Sequence, residues 1–528
     1  MSWRKHPHDG SKHGELPAKS DVAKNRKLVG VVALATFSAI ILLVVAFVVA
    51  LYCPMPQLVD NSENPNSTFS HSVGATRLQT VCPVRLSLPD LAKYGDSQYS
   101  ESEGDLQSSA RYGAFGDVYH ASVHNVRDAD NQSMMLKMKS TDDYTSALIA
   151  NNNVNHDAQV LEGRLSRVAS GTGIAASMVS WATSGDVRGL SATTCAMPSM
   201  KQTFLLPEAG EGVSIRLEAF NSASKSTVVR VRAWSSKHGD SPIALSTGSA
   251  FTVPAHSHAY FDLSAASPKS SGMYVQIESE QTPVAAFVKV VSMSGLKVKG
   301  VDIIRELASK SNNTILSGVN EGDQAKVYVW PNKNGNVTIS WMSETGSKTV
   351  KEIYLKSHNL QVVDLGKVPE RVHALRISGD VSTQAMLSVS KDGKDGQSDI
   401  AFITASHSKG SSAIVSPVTA GETTLYVAST GNKESSVRLL GFDASGALSG
   451  TKRITIPANS ALSISAEDIS HDSVMFTAQS HENISLSARI RKNELDKANV
   501  AGIAWLSAQS LEPQQAQVFV RTNHHIVR

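Results

Sequence analysis

The chain has 528 residues, 18% of them charged and 6% aromatic, with three cysteines, so it can bury several cores and is too poor in cysteine for a disulfide mini-protein. Low charge with abundant Ser, Thr, Asn and Gly favours exposed β-structure over long solvated helices and excludes a disordered chain. The formal net charge is +3, but residues 1–27 hold seven Lys/Arg against three Asp/Glu, which leaves −1 for the remainder and no net attraction for nucleic acid.

The basic tail 1–27 runs into residues 28–52, LVGVVALATFSAIILLVVAFVVALY, which carry no charge. As a helix this segment is about 37 Å long and crosses a ~30 Å hydrocarbon core with some tilt. Lys24, Arg26 and Lys27 precede it, and Cys53, Pro54 and the polar NSENPNS follow. The positive-inside rule therefore places 1–27 in the cytoplasm and everything after the helix outside. A cleaved signal peptide needs a shorter apolar run, about 7–15 residues, with small residues before the cut; Leu51 and Tyr52 stand there instead. Tyr52 before Cys53 also departs from a lipoprotein signal. The reading is an uncleaved transmembrane anchor. Residues 53–76, with Pro54, Pro56 and Pro65 and no periodicity, read as a stalk.

Beyond the stalk the expected fold is mainly β, a tandem array of immunoglobulin-like β-sandwich units. Short alternating runs recur between Gly, Asn, Asp and Ser clusters: VSIRLEAF (213–220), TVVRVRAW (227–234), AKVYVW (325–330), VTISWM (337–342), TTLYVAS (423–429) and SVRLLGF (436–442). In TVVRVRAW the period of two sends Val229, Val231 and Ala233 to one face and Arg230, Arg232 and Trp234 to the other. The period between units is about 100 residues, the size of one sandwich. VPAHSHAYFDL (253–263) recurs as IPANSALSIS (456–465) and more weakly as YLKSHNLQVVDL (354–365), aligning Pro254, Leu355 and Pro457. LPEAGEG (206–212), SGVNEGD (317–323) and SPVTAGE (416–422) open the units. VQIESEQTPVAAFVKV (275–290), LRISGDVSTQAMLSV (375–389) and FTAQSHENISLSARI (476–490) close them, and Gly239, Gly346 and Gly446 mark a turn in each. The units are 201–309, 310–408 and 409–510, followed by a tail, 511–528. Residues 77–200 read as a divergent first unit, with strands at 118–126 and 134–140 and a mobile polar insertion at 95–111.

Candidate chemistry is sparse. Cys82 and Cys195 are the one cysteine pair clear of the membrane segment, and outside the cell such a pair forms a disulfide more often than a nucleophile or ligand pair. It would tie the opening strand of the first unit to its last. His256, Ser257 and His258 offer two imidazoles but no third ligand. DGKDGQSD (392–399) lacks the EF-hand order and reads as a solvated loop. GTGIAA (171–176) has glycines but no βαβ unit to hold a phosphate. His524 and His525 lie in the tail. Neither a catalytic residue, a metal site nor a cofactor is assigned. Trp234, Trp330 and Trp341 are the candidates for stacking against sugars, the alternative being core packing.

The string GDVRGLSATTCAMPS (185–199), following an anchor and preceding repeats with V/I-P-A-x-S, resembles an uncharacterised family of actinobacterial membrane-anchored envelope proteins, a domain of unknown function. In that family a G-D-[LV]-R-G-L stretch precedes a cysteine and a proline, and an earlier Cys-Pro lies beyond the anchor. Gly185, Asp186, Arg188, Gly189, Leu190, Cys195 and Pro198 match the first pattern, and Cys82 with Pro83 the second. After Pro198 the chain reads KQTFLLP, where family members carry an aromatic-rich run. The resemblance implies a high-GC Gram-positive envelope setting and, since the genes often lie near membrane glycosyltransferases, a link to envelope glycan assembly.

Three function classes follow. First is a non-enzymatic extracytoplasmic accessory or scaffold of the cell envelope. Its expected partners are the lipid bilayer through residues 28–52 and an envelope protein such as a membrane glycosyltransferase, with polysaccharide as a further candidate and nucleic acid excluded. Second is a glycan-binding module protein of the cell surface. Third is an enzyme with a dispersed site.

Overall fold

The computed structural model describes residues 68–88, 102–127, 134–137, 146–235, 241–267, 271–295, 297–406, 408–429 and 431–521. The expected anchor at 28–52, Cys53, Gly239 and the tail histidines lie outside them. Among the described residues no helix is long and apolar enough to cross a membrane. The structure is mainly β, and the packing described below lies within the compact unit Ser72–Gln517.

After β1 (Thr68–Gly74), the strands fall into four successive sets. The first comprises β2 (Arg77–Cys82), β3 (Gln107–Phe115), β4 (Val118–Asn125), β5 (Met134–Met135), β6 (Leu148–Asn152), β7 (Gln159–Leu165), β8 (Gly173–Ala182) and β9 (Gly189–Thr194). The second comprises β10 (Lys201–Leu206), β11 (Val213–Asn221), β12 (Thr227–Ser235), β13 (Ala250–Val253), β14 (Ser257–Asp262), β15 (Met273–Ser279), β16 (Ala285–Ser294) and β17 (Lys297–Ile304). The third comprises β18 (Ser311–Ser317), β19 (Gln324–Pro331), β20 (Gly335–Ser343), β21 (Gly346–Leu355), β22 (Gln361–Lys367), β23 (Val372–Asp392) and β24 (Ser398–Thr404). The fourth comprises β25 (Ser408–Val415), β26 (Thr423–Ser429), β27 (Ser435–Phe442), β28 (Leu448–Ile456), β29 (Ala461–Ser465), β30 (Met475–Ile490) and β31 (Ala504–Ser507), with β32 (Gln509–Ser510) added beside β25. Last comes β33 (Gln515–Arg521), paired with β1.

One topology recurs. In the second set β10-β15-β12-β13 form one antiparallel sheet and β14-β11-β16-β17 the other, and the first set has the same order in β2-β7-β4-β5 and β6-β3-β8-β9. In the third and fourth sets the two middle strands fuse into one long strand, β23 or β30, whose first half pairs in one sheet and second half in the other. The first set, divergent in sequence, thus shares the strand order of the rest. Alternation is what builds each core: Val229, Val231 and Ala233 of β12 are buried and pack with Ile215, Leu217 and Ala219 of β11, while Arg230 and Arg232 stay exposed.

The cores run across set boundaries. Phe220 and Phe287 of the second set join the first core, Tyr328, Trp330 and Phe402 of the third join the second, and Ile503 and Trp505 of the fourth join the third. Val179, Trp181 and Leu190 of the first set join the fourth core, so the fourth set packs back on the first. Each junction also carries buried polar links. Lys289 Nζ lies 2.8 Å from Glu218 and donates to the Arg85 carbonyl oxygen at 3.0 Å. Gln384 accepts from the Tyr274 hydroxyl at 2.9 Å and donates to Thr203 Oγ1 at 2.9 Å. Arg489 pairs with both oxygens of Asp323, and Arg111 donates to the carbonyl oxygens of Ser416 and Val418.

Three readings need correction. Residues 107–111 belong to β3 rather than to a mobile insertion, because their polar side chains have fixed partners: Ser108 on Asn155, Ser109 on the Pro417 carbonyl and Arg111 on the fourth set. The stalk and the tail contain β1 and β33, which pair with each other. The repeat alignment at Leu355 is one residue out. His256, His358 and Asn459 share a left-handed φ, 47°, 50° and 53°, and their N–H groups donate to the carbonyls of Ala223, Pro331 and Gly431 respectively. The residue corresponding to Pro254 and Pro457 is therefore Lys356.

The Cys82–Cys195 disulfide joins the end of β2 to the residue following β9, with Cα atoms 4.5 Å apart and both cysteines fully buried. Flanking it, Val81 and Ala196 exchange hydrogen bonds of 2.8 and 3.0 Å, so the crosslink sits where the backbone already holds the two strands together. The bond spans a sequence separation of 113 residues, for which the chain-entropy model gives about 4–5 kcal/mol. The double variant Cys82→Ala/Cys195→Ala should unfold at a clearly lower urea concentration, by about 4 kcal/mol; an unchanged midpoint would show that the bond does not constrain the unfolded chain.

Candidate functional site

The last strands of the four sets, β9, β17, β24 and β31, meet around one buried carboxylate. Asp399, at the start of β24, is fully buried. Its Oδ2 accepts the N–H groups of Leu190 at 2.9 Å and Ile503 at 3.0 Å, and its Oδ1 accepts that of Val301 at 3.2 Å. The donors come from the other three sets, and each follows a glycine: Gly189, Gly300 and Gly502. Gly189 and Gly300 have φ of 146° and 145°. A Cβ at Gly189 would stand 3.0 Å from Asp399 Oδ1, and one at Gly300 2.6 Å from Ile400, so close backbone approach requires glycine at both. In the third set Asp399 itself stands where the others have glycine. Nearby, Asp302 Oδ2 accepts the Phe402 N–H at 2.7 Å. Burial pushes Asp302 up to about 8, against the pull of the Phe402, Ile303 and Ala192 N–H groups. Burial raises Asp399 well above the ordinary carboxylate range too, against three N–H donors, and the neighbouring Asp302 adds to the rise.

This overturns the reading of 392–399 as a solvated loop: its last residue links all four sets. It also places the 185–199 motif. Gly189 and Leu190 form one of the three approaches to Asp399, and Asp186 exchanges hydrogen bonds with Ser102, accepting the Ser102 N–H at 2.9 Å. Thr194 donates to the Ser507 carbonyl at 2.7 Å and Cys195 carries the disulfide. The motif residues pack and orient backbone.

The tryptophans separate. Trp341 is only 6% exposed, in the core of the third set, and Trp330 is 1% exposed, stacked on Tyr274 at 4.2 Å between the second and third sets. Trp234 is half-buried, 5.8 Å from Trp330 and 5.7 Å from Tyr274. Trp330 and Trp341 are therefore core residues with no free face for a sugar, and the three do not share a groove. His256 lies in its turn, while His258 on β14 packs against Phe220 at 5.5 Å, its pKa lowered chiefly by burial. Among the described residues no three His, Cys, Asp or Glu side chains are grouped to hold a metal. Gly171 of GTGIAA forms a turn with φ 85° leading into the wholly buried β8.

Open clefts lie at three junctions. Between the fourth and first sets is one of about 700 Å³, with Lys137, Asn151, Asp443 and Asp472 on its walls. Between the third and fourth is one of about 550 Å³, with Asn313, Arg376, Asn432 and Glu482. Between the second and third is one of about 570 Å³, within the ~300–1,000 Å³ range of small-ligand sites. The last has buried Tyr328 and Leu360 as a floor and exposed Tyr354, Lys326, Lys356 and Glu208 around it. It combines an exposed aromatic ring, two ammonium groups and the amides of Asn359 and Gln361, and is the candidate site. Tyr354 escaped the tryptophan-centred reading of the sequence, although KEIYLK already places it one step out of phase with buried Leu355.

Residues 149–467 match the model of a family described as of unknown function, DUF5719. No curated protein matches the chain.

Replacing Asp399 by Ala strands three buried N–H groups, each costing about 1–3 kcal/mol. The variant should lose at least about 3 kcal/mol in urea unfolding, and Asp399→Asn, which keeps one acceptor oxygen, less; equal stability of Asp399→Ala and the parent would remove the proposed linking role. For Asp302 the folded-state pKa lies above the unfolded one, so the unfolded chain ionises first as pH rises. Stability therefore declines from about pH 4 to about pH 8, by at most ~1.4 kcal/mol per pH unit from this group. In Asp302→Asn that part of the slope should vanish when urea midpoints are compared at pH 4.5, 6 and 8.

Proposed function

The chain belongs to the DUF5719 family of unknown function, and we propose that it is a membrane-anchored extracytoplasmic accessory or scaffold protein of an actinobacterial cell envelope, linked to envelope glycan assembly and without catalysis of its own. The observation that carries the reading is the buried Cys82–Cys195 disulfide, since such bonds persist on the oxidising side of a membrane. The uncharged run 28–52 behind its basic flank supports the same address. The scaffold role is supported by four strand sets of one topology, linked through Asp399 and through charged or amide groups at each junction. An assembly so linked holds its surfaces in fixed relation, as a platform for partner proteins requires. The G-D-[LV]-R-G-L pattern fits this reading, because its Gly189 and Leu190 serve that linkage.

The topology is tested by adding protease to intact protoplasts. The bulk of the chain should be digested while the tail 1–27 and anchor survive; protection of the full-length chain would refute the orientation. Crosslinking in intact cells followed by purification should recover a membrane glycosyltransferase or another envelope assembly protein. Repeated recovery of cytoplasmic proteins alone would count against the role.

A further inference from the structure

We propose that the cleft between the second and third sets binds a saccharide bearing a carboxylate or phosphate; this deepens the envelope reading and rests on it for the source of the ligand, not for the chemistry. The turn between β21 and β22 keeps the backbone of its counterparts but not their side chains. In the second and fourth sets the corresponding turns read Pro254, Ala255, His256, Ser257 and Pro457, Ala458, Asn459, Ser460. In the third set the backbone is the same, with the same left-handed residue and the same N–H bond to a carbonyl. The side chains are not the same: Lys356 replaces proline and Asn359 replaces serine, and both line the cleft. Two residues earlier, Thr252 and Thr455 correspond to Tyr354, which lines it too. The repeat thus keeps its fold here and changes its chemistry on the wall of a cavity. Such a local departure from an otherwise consistent pattern is what a binding site produces.

The groups present select the ligand class. Tyr354 is 60% exposed and has no ring partner among the described residues, whereas the equally exposed Tyr260 is covered by the Arg216 guanidinium at 4.7 Å. A free ring on a cleft wall offers a flat apolar face to the C–H face of a sugar. Asn359 and Gln361 supply donors and acceptors for vicinal hydroxyls, and Glu208 on the opposite set supplies an acceptor. Lys326 and Lys356 form no ion pair among the described residues, and with Glu208 alone opposing them the cleft carries a net positive charge. That charge favours an acidic sugar over a neutral one. The turn is also held before any ligand arrives. Its Ser357 N–H donates to Asn334 Oδ1 at 2.6 Å and its Asn359 N–H to the Lys356 carbonyl at 3.2 Å, so little ordering is needed on binding.

The test titrates the full chain in detergent, by calorimetry, with galacturonic acid tetramer, glucose 1-phosphate, the neutral cellotetraose and inorganic phosphate. At least one acidic sugar should bind more tightly than cellotetraose and than inorganic phosphate, and which one binds distinguishes a carboxylate from a phosphate source. Tyr354→Ala should weaken that binding roughly tenfold. Lys326→Gln/Lys356→Gln should remove the preference for acidic over neutral sugar. All of these side chains are exposed, so unchanged urea midpoints should accompany both losses. Binding of none of the sugars, equal binding of the neutral one, inorganic phosphate binding as well as the sugar, or full affinity in Tyr354→Ala would each overturn the proposal. Protoplast proteolysis reports separately on the envelope reading: sugar binding with an intracellular chain would sink that reading alone, and an external chain without sugar binding would sink the cleft alone.

Discussion

Everything in the fold depends on a single backbone constraint: three N–H groups, from three different parts of the chain, are buried where no regular sheet partner reaches them. A buried N–H without an acceptor costs about as much as a whole hydrogen bond, so a close meeting of β9, β17 and β31 would be unfavourable without Asp399. One carboxylate, with two oxygens and four lone-pair sites, can serve all three donors, which no single serine or backbone carbonyl here does. The constraint explains why glycine precedes each donor, and why an acid stands at the corresponding place in the third set. It also accounts for a fully buried aspartate in a chain otherwise low in charge. Desolvation still outweighs the three donors and raises the carboxyl group's pKa, and each donor lost would leave that burial opposed by less, so the carboxyl group and its partners act as one unit.

The junctions repeat the same logic in weaker form. Each pair of neighbouring sets shares apolar side chains, and each adds a polar contact made only when both sets are in place: Lys289 with the Arg85 carbonyl, Gln384 with Tyr274, Arg489 with Asp323, Arg111 with Ser416 and Val418. Apolar contact between sheets is tolerant of sliding. A buried charge or amide is not, because a displaced partner leaves a desolvated group behind. Four sets built on one topology could pair with one another in several ways, and these polar contacts, different at each junction, discriminate among them.

Much of this was legible in the sequence where the signal was periodic. The alternation in β12, the openers before β11, β19 and β26, and the closing strand pairs at β15–β16, β23 and β30 are local, and local patterns survive in one dimension. The disulfide was legible because only two of the three cysteines, Cys82 and Cys195, lie clear of the expected membrane segment, and two allow one pairing. Asp399 was not, since DGKDGQSD has the composition of a solvated loop and its burial comes from strands far away in the chain. Trp330 and Trp341 were ambiguous for a related reason: the period of two tells which side of a strand a residue takes, not whether a neighbouring set covers that side. The one-residue error at Leu355 arose because Lys356 had lost the proline that marks the turn elsewhere.

That lost proline also bears on how an exposed strand can be kept from pairing with other chains. β21 lies at the edge of its sheet, bonded on one side only to β20, and nearly all of it is exposed, including Val350 and Tyr354. A long edge with free N–H and C=O groups invites aggregation unless charge is placed along it. Lys348, Lys351 and Lys356 are spaced along this edge and its turn, and β28, at the corresponding edge of the fourth set, carries Lys452 and Arg453. Charge on both edges is thus accounted for by protection against pairing, and Lys356 alone would not distinguish a binding cleft. What protection does not account for is the aromatic ring at Tyr354. It adds apolar surface to an edge that the lysines keep soluble, where the corresponding residue of β28 is Thr455. An exposed ring in such a place carries a cost in solubility, and its position on the cleft wall beside two lysines supplies a reason for bearing it.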